Sequence, residues 1–348
     1  MEEALAKLIH RAEEELKRAH KLIWMRHADK AQALASRVGE WLHAHHAARY
    51  IEMMGYEQAQ ELLSVDEKQV MKTIRVNTLK ASVEEVKRRL EAKGFQLERH
   101  PYVEYGLVIK HSPYKPGATI EYIQGLYTIQ GPASMLAVPA MGLEELKTDH
   151  QLLIADQCAG AGIKTTQLAQ HRPDAAIAAI DINRRKLLAL RNNLQRLAVT
   201  NVAAYNMDGR NLPRLSAFNA VLLDAPCTGE GLIPFPKGKW PRSFEDVRNR
   251  VRLQLELAYA AAKALESGGR LLYSTCSMSV EENEYVLTKL LEVFEDLNPI
   301  EPRIHAGTPG ITEYAGLQLD KRLKQSCRRL YPHIHRTEGF TICLLEKA

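Results

Sequence analysis

The sequence predicts an α/β protein: a parallel sheet in the C-terminal part, a small α+β unit before it, and a helical segment at the start. Three observations point there. From about Gln151, short apolar runs alternate with amphipathic helical stretches, the pattern of a buried parallel sheet with helices on its faces. From Ile74, strand-like runs surround a single helix. Residues 1–72 are rich in Ala, Leu, Glu, Lys and Arg at helical spacing, with almost no Gly or Pro.

In the helical segment Leu5, Leu8, Ile9 and Leu16 share one face, which predicts packing against the rest of the chain. His43, His45 and His46 cluster without an acidic or cysteine partner at ligand spacing, and read as a solvated helix face. The middle unit, residues 73–145, has strands expected at Ile74–Leu79, Leu107–Lys110 and Tyr127–Ile129. A helix is expected over Ser82–Gly94, with Ser82 and Glu85 as a capping box and Gly94 as its stop. In residues 146–348 the expected strands are Leu152–Ala155, Ala176–Ile180, Val202–Tyr205, Ala220–Leu223, Arg270–Tyr273 and Phe340–Leu345, the last antiparallel. Helices are expected at Lys164–Gln170, Arg184–Leu197, Phe244–Leu265 (ended by Gly268–Gly269) and Ser279–Phe294.

Composition narrows the function classes. The 348 residues are 45% hydrophobic and 26% charged, ordinary for a soluble globular protein, and the net charge of +5 suits a polyanionic partner without requiring one. The N-terminus is charged throughout and lacks a signal-peptide core. No apolar run approaches the roughly 18 residues of a membrane span, so the expectation is a cytoplasmic, non-membrane protein. The five cysteines, Cys158, Cys227, Cys276, Cys327 and Cys343, form no CxxC pair. That spacing argues against a metal site and against a disulfide framework, leaving free thiols.

Ligands in such sheets bind at the carboxyl ends of the strands. Asp156, Asp181 and Asp224 fall at those ends, with Asp208 just beyond the third. After the first strand, Gly160 and Gly162 allow a tight turn and close approach of backbone to a ligand, and a helix follows. Asp181 stands where an acidic side chain takes ribose hydroxyls, which indicates a nucleotide-type cofactor. Thr165 occupies the place of the third glycine of the dinucleotide fingerprint, which argues against NAD, and no hydride-handling constellation is present.

Asp224-Ala-Pro-Cys227 and Ser274-Thr-Cys276-Ser sit at the expected ends of the fourth and fifth strands, so both thiols face the cofactor crevice. Ser279 and Glu282 form a capping box for the following helix, whose positive end favours thiolate at Cys276. Carbon 5 of cytosine is too weak a nucleophile to take a methyl group directly. A thiolate adding at carbon 6 activates it, a carboxyl group at ring nitrogen 3 stabilises the developing charge, and a base then removes the carbon 5 proton.

From Ile74 to the C-terminus the chain resembles the Sun-type (Nop/Sun, Fmu-like) family of RNA cytosine-5 methyltransferases. The resemblance rests on the ordered blocks IRVNTLK, YTIQGPASMLA, DQCAGAGIKT, DAPCTGEG, YSTCSMSVEENE and RLYPHIHRTEGF. It implies a Rossmann-like class I methyltransferase sheet beside a small RNA-recognition-like domain. Cys276 would be the nucleophile, Cys227 would promote product release, Asp224 would contact the base, and Lys164 would reach toward it. S-adenosylmethionine would be held by Cys158, Ala159, Gly160, Ala161, Gly162, Ile163 and Lys164 with Asp181, Asp208 and Asp224. Ile163 departs from the family, which has glycine there, so the loop is expected to sit differently.

RNA contacts are expected from two basic runs: Lys237, Lys239 and Arg242 with Trp240 to stack on a base, and a second that includes Arg328 and Arg329. The expected substrate is tRNA or rRNA, the chain's compactness leaning to tRNA, and the chain is expected to act as a monomer. The alternative from another class is a non-catalytic RNA-binding or ribosome-assembly factor on the same fold.

Overall fold

The computed structural model describes residues 2–38, 43–232 and 243–348. Three helices come first: α1 (Glu2–Val38), α2 (Ala44–Met54) and α3 (Tyr56–Leu63). Leu8, Ile9, Ala12, Leu16 and Ile23 give α1 a continuous buried stripe, and Leu5 packs beside it. His46 does not lie on a solvated face. It is buried, its ring 4.1 Å from that of His45, because α2 packs into the protein on that side.

The middle unit runs β1 (Thr73–Val76), α4 (Val83–Glu91), β2 (Gln96–Arg99), β3 (Gly106–His111), α5 (Ile120–Ile123) and β4 (Tyr127–Ile129). The strands form an antiparallel sheet in the order β2-β3-β1-β4, a βαββαβ arrangement. Ser82 accepts the Glu85 N–H at the start of α4, but the Glu85 carboxylate turns to Arg89, so the cap is one-sided. Gly94 takes the left-handed φ of +86° that ends the helix region. β2 has no counterpart in the apolar pattern because only Leu97 of its four residues is buried.

The short helix α6 (Ala137–Ala140) leads into β5 (Leu153–Asp156), α7 (Ile163–His171), β6 (Ala176–Asp181), α8 (Arg184–Leu197), β7 (Val202–Asn206), β8 (Phe218–Asp224), α9 (Phe244–Ala264) and β9 (Leu265–Thr275). A π-helical turn, Glu281–Tyr285, continues into α10 (Val286–Leu291). Then follow β10 (Leu297–Ile300), β11 (Thr308–Pro309), β12 (Glu313–Tyr314), β13 (Leu317–Gln318), α11 (Leu323–Ser326), β14 (Cys327–Leu330), α12 (Pro332–His335) and β15 (Phe340–Lys347). β7-β6-β5-β8-β9 are parallel, and β15 joins β9 antiparallel, with β14 and β10 beyond it.

Alternation along β8 shows the layering: Val221 and Leu223 face α9 and the N-terminal helices, while Ala220 and Leu222 face α6 and α7. Residues 133–143 pack in this second core, against the large sheet. Gly268–Gly269 do not cap α9. The chain passes from α9 directly into β9, and the glycines lie within that strand's span, Gly268 at φ +73°. Cys327 and Cys343 are not free thiols either: β14 and β15 pair them directly opposite each other, and they form a disulfide.

Candidate active site

The sheet order reverses between β5 and β8, and a cavity of about 770 Å³ opens at the carboxyl ends of these strands. On the β5–β6 side the turn is held by short-range bonds. Gly160 (φ +55°) donates its N–H to Asp181 Oδ2 at 2.9 Å, and the space where a Cβ would stand is open. Asp181 Oδ1 accepts the Asn183 N–H, and Asn183 caps α8. Gly162 (φ +80°) begins α7, where a Cβ would meet Leu190 at 2.8 Å. Asp156 Oδ2 accepts the Thr165 hydroxyl at 2.6 Å, so the residue in place of the third glycine has a bonding role. Asp156 Oδ1 and Gln157 Oε1 are buried and, among the described residues, without a hydrogen-bond partner. Burial pushes the Asp156 carboxyl up to about 7.

Ile163 occupies the first position of α7, where its backbone needs no glycine. Its side chain lines the cavity, and its carbonyl accepts Arg75 Nη1 at 2.8 Å. Arg75 is buried and also bonds Gln130 and Thr166, tying β1 to the first turn of α7. Asp208 caps the turn after β7 and pairs with Arg210, which holds its carboxyl below the usual range.

On the β8–β9 side, Lys164 Nζ lies 2.7 Å from Asp224 Oδ2, and Ser274 donates to Asp224 Oδ1 at 3.0 Å. Burial opposes the Lys164 charge, but Asp224 more than offsets it and raises its pKa above the ordinary value. Cys227 Sγ and Cys276 Sγ are 3.0 Å apart, and both thiols are free. The contact with Cys276, reinforced by burial, pushes the Cys227 thiol far up.

The Cys227 loop is tied down by Glu282, whose carboxylate accepts the Thr228 N–H (2.9 Å) and hydroxyl, Ser277 Oγ (2.6 Å) and Gln254 Nε2 (3.0 Å). The expected Ser279–Glu282 capping box is therefore only half present. Ser279 Oγ accepts the Glu282 N–H, but the carboxylate is committed to the other loop and the helix opens as a π turn. Gly231 donates to the Cys276 carbonyl at 3.0 Å and crosses Gly339 so closely that a Cβ would sit 1.9 Å from its carbonyl oxygen.

The cavity thus gathers Cys158, Ala159, Gly160, Ala161, Ile163, Lys164, Asp181, Asp208, Asp224, Cys227 and Cys276, while Gly162 lies behind it as the helix cap. Sequence reasoning missed Ile182, 68% exposed on the cavity rim, and Ile129 and Gln130, which the small sheet contributes. The local signal for Ile182 was available: an apolar residue directly after Asp181 in an otherwise polar turn.

The RNA expectations fare differently. Lys237, Lys239, Trp240 and Arg242 lie outside the described residues. Arg329 cannot reach a phosphate. It is 1% exposed, pairs with Glu284 and donates to the Met278 carbonyl, because its β14 side faces the core. Arg328 is mostly covered and turned to Glu301 and the Gln325 carbonyl. Among the described residues no helix is long and apolar enough to cross a membrane, and no group of three or more His, Cys, Asp or Glu is placed to hold a metal.

The strand order and cavity define a Rossmann-like methyltransferase fold. Residues 142–346 match the family described as 16S rRNA methyltransferase RsmB/F, and residues 42–132 match the N-terminal domain of 16S rRNA methyltransferase RsmF. The chain belongs to the RsmB/F family, within the Sun-type group its motifs resemble. It is similar to a 28S rRNA (cytosine-C(5))-methyltransferase of Mus musculus, 34% identical over 86% of this chain and 38% of the mouse protein. Ribosomal RNA small subunit methyltransferase F of Aliivibrio salmonicida is 35% identical over 82% of this chain and 60% of its own length. The chain therefore spans less than two thirds of the length of each of these relatives. A solved methyltransferase homolog protein from Pyrococcus horikoshii matches with a TM-score of 0.78 and 33% identity, covering 92% of this chain and 99% of that one.

Proposed function

We propose that this chain methylates carbon 5 of a cytosine in ribosomal RNA, with S-adenosylmethionine as donor and Cys276 as covalent nucleophile. One observation carries the reading: two free thiols 3.0 Å apart at two strand ends, beside the Lys164–Asp224 pair, in the cavity that holds the glycine turn. The relatives are rRNA methyltransferases, which favours rRNA, and compactness of the chain is too weak an argument to keep tRNA ahead.

The cavity suits the cofactor. Gly160 leaves open space at the turn, Asp181 is poised at the start of α8, and Asp156 Oδ1 offers a buried acceptor. The Cys158–Lys164 turn with Asp181, Asp208 and Asp224 would hold S-adenosylmethionine, which when bound supplies an electrophilic methyl group.

Cys276, as thiolate, adds to carbon 6 and makes carbon 5 enamine-like. The Lys164–Asp224 pair stabilises the charge that develops toward ring nitrogen 3. Before addition Cys227 keeps its proton, since the adjacent sulfur and burial both hold its pKa up. Once Cys276 is bonded to carbon, that contact no longer holds the proton on Cys227, which gives it up to solvent and becomes the thiolate. It then takes the proton from methylated carbon 5, the double bond to carbon 6 re-forms, and the electron pair of the Cys276–carbon bond returns to sulfur. The target base must leave its stack for Cys276 to reach carbon 6.

The βαββαβ unit of residues 73–145 is the proposed RNA-guiding domain, between a helical segment (1–72) and the catalytic domain (146–348). Lys237, Lys239, Arg242 and Trp240 are the proposed phosphate and base contacts. The working setting is a cytoplasmic, metal-free monomer. A purely non-catalytic assembly factor has no need of the two thiols and the Lys164–Asp224 pair. Incubation with rRNA and methyl-labelled S-adenosylmethionine, followed by nucleoside analysis, tests the reading. Labelled 5-methylcytidine is expected; label on another nucleoside, or RNA binding without transfer, would overturn it.

A further inference from the structure

We propose that Arg49, on α2, is a positioning residue for product release: its single buried guanidinium sets the Cys227 loop against the Cys276 loop. This inference rests on the roles given to the two cysteines above.

Arg49 is 2% exposed. Its Nη1 donates to Glu230 Oε1 at 2.5 Å, three residues beyond Cys227. Its Nη2 donates to Ser279 Oγ at 2.6 Å, three residues beyond Cys276, and to Glu281 Oε2 at 3.0 Å. Its Nε donates to Glu281 Oε1 at 2.8 Å. The planar fork therefore spans both loops at once, a geometry that the compact ammonium of lysine does not reproduce. The Tyr50 hydroxyl donates to the second Glu230 oxygen at 3.1 Å, so neighbouring residues of α2 grip one carboxylate. Glu281 is further held by the Tyr314 hydroxyl and the His20 ring, each at 3.1 Å.

Two carboxylates gathered around one arginine in the interior are a poor way to gain stability, because desolvation consumes most of the attraction. What such an arrangement does well is fix direction and distance. Burial pushes Glu230 up to about 7 despite Arg49, while Arg49 and His20 overcome burial at Glu281 and hold it well below the carboxylate range. The guanidinium thus bonds one carboxylate firmly on the Cys276 side and a more weakly charged one on the Cys227 side.

Release needs the Cys227 sulfur at the carbon 5 proton while Cys276 is bonded to the adjacent carbon. In that step Cys227 gains the proton, the ring double bond re-forms, and Cys276 leaves with its electron pair. A displacement of about 1 Å between the loops costs on the order of a hundredfold in such a step. Glu282 also joins the two loops, through Thr228 and Ser277, and Arg49 adds a second clamp three residues beyond each cysteine. Addition by Cys276 depends less on Arg49, because Asn283 donates to the Ser277 and Ser279 carbonyls and Thr341 donates to the Ser277 carbonyl, bonds that hold that side without the Cys227 loop.

The test uses the full chain with rRNA and S-adenosylmethionine, comparing wild type, Arg49→Gln, Arg49→Lys, Tyr50→Phe, Cys227→Ala and Cys227→Ala/Cys276→Ala. Turnover, the fraction of protein in a denaturant-stable RNA adduct, and affinities for RNA and cofactor are measured. Arg49→Gln is expected to lower turnover about a hundredfold and to accumulate adduct as Cys227→Ala does, with both affinities within about twofold. Arg49→Lys should recover turnover only in part. Tyr50→Phe, which removes one bond and keeps the fold, should show the same partition at about a fivefold loss. Lower turnover without adduct in Tyr50→Phe and Arg49→Lys, while Cys227→Ala does accumulate it, overturns the Arg49 role alone. Absence of a Cys276-dependent adduct in Cys227→Ala removes the cysteine assignment beneath it.

Discussion

The two halves of the cavity are built by different means. At the β5–β6 end the turn is shaped by backbone conformation and bonds of short reach: Gly160 to Asp181, Asn183 to Asp181, Thr165 to Asp156. At the β8–β9 end the loops hang from buried charges that arrive from distant parts of the chain. Arg49 and Glu281 are 232 positions apart, Arg329 and Glu284 are 45 apart, and Glu282 reaches back 54 to Thr228. Where a cofactor is cradled, backbone freedom shapes the turn and a single long-range cation, Arg75, holds the helix that follows it. Where two sulfurs must be kept apart at a fixed distance, the fold spends interior ion pairs on it.

The largest test of that contrast removes a buried charge. Arg329→Met strands Glu284, which is 0% exposed, and should cost about 3–5 kcal/mol in denaturant unfolding. The double variant Arg329→Met/Glu284→Leu should recover most of it; no recovery would mean that Arg329 matters for its packing and not for the pair. Lys164→Met is expected next, lowering turnover by roughly 10²–10³ with a smaller effect on cofactor affinity. A loss confined to cofactor affinity would move Lys164 out of the base pocket.

At the other end the expected effects are smaller and follow pH or backbone. The native Asp156 carboxyl keeps its proton to about pH 7, whereas the unfolded one loses it near 3.8, because burial disfavours the charge. Between those values the folded state binds more protons, so this group's contribution falls as pH rises, by at most on the order of 4 kcal/mol. Asp156→Asn should therefore gain stability relative to wild type between pH 5 and pH 8 in thermal melts. A constant difference would show that Asp156 titrates normally. Gly162→Ala, strained at φ +80° and pressed on Leu190, should cost about 2 kcal/mol, against about 1 kcal/mol for Gly160→Ala, whose site is open. Arg328→Ala should cost about 1 kcal/mol, through its covered stem and its carbonyl bond, and leave RNA affinity unchanged.

The same contrast explains what was legible in the sequence. The β5–β6 end was read nearly residue by residue, since glycine turns, strand-end aspartates and caps are local signals, and α8 has the predicted bounds Arg184–Leu197. The positions of Cys227 and Cys276 were legible for the same reason: each follows an apolar run that could only be a strand. Their supports were not. Glu281, Glu282, Asn283 and Glu284 look like a solvated helix start, and only the fold shows all four buried, each bonded to a different element. Arg328 and Arg329 failed as RNA contacts because a basic run carries no mark of which side of a strand meets the core. The disulfide likewise depends on the β14–β15 register, which spacing does not reveal.

The measurement that bears most directly on the central claim is adduct trapping with Cys227→Ala protein, rRNA and S-adenosylmethionine, beside Cys227→Ala/Cys276→Ala on a denaturing gel. A slow-migrating protein–RNA species present in the single variant and absent from the double is the predicted result. An adduct that survives loss of Cys276, or none in either variant while wild type still forms 5-methylcytidine, would contradict the assignment of Cys276 as nucleophile and Cys227 as the group that frees the product.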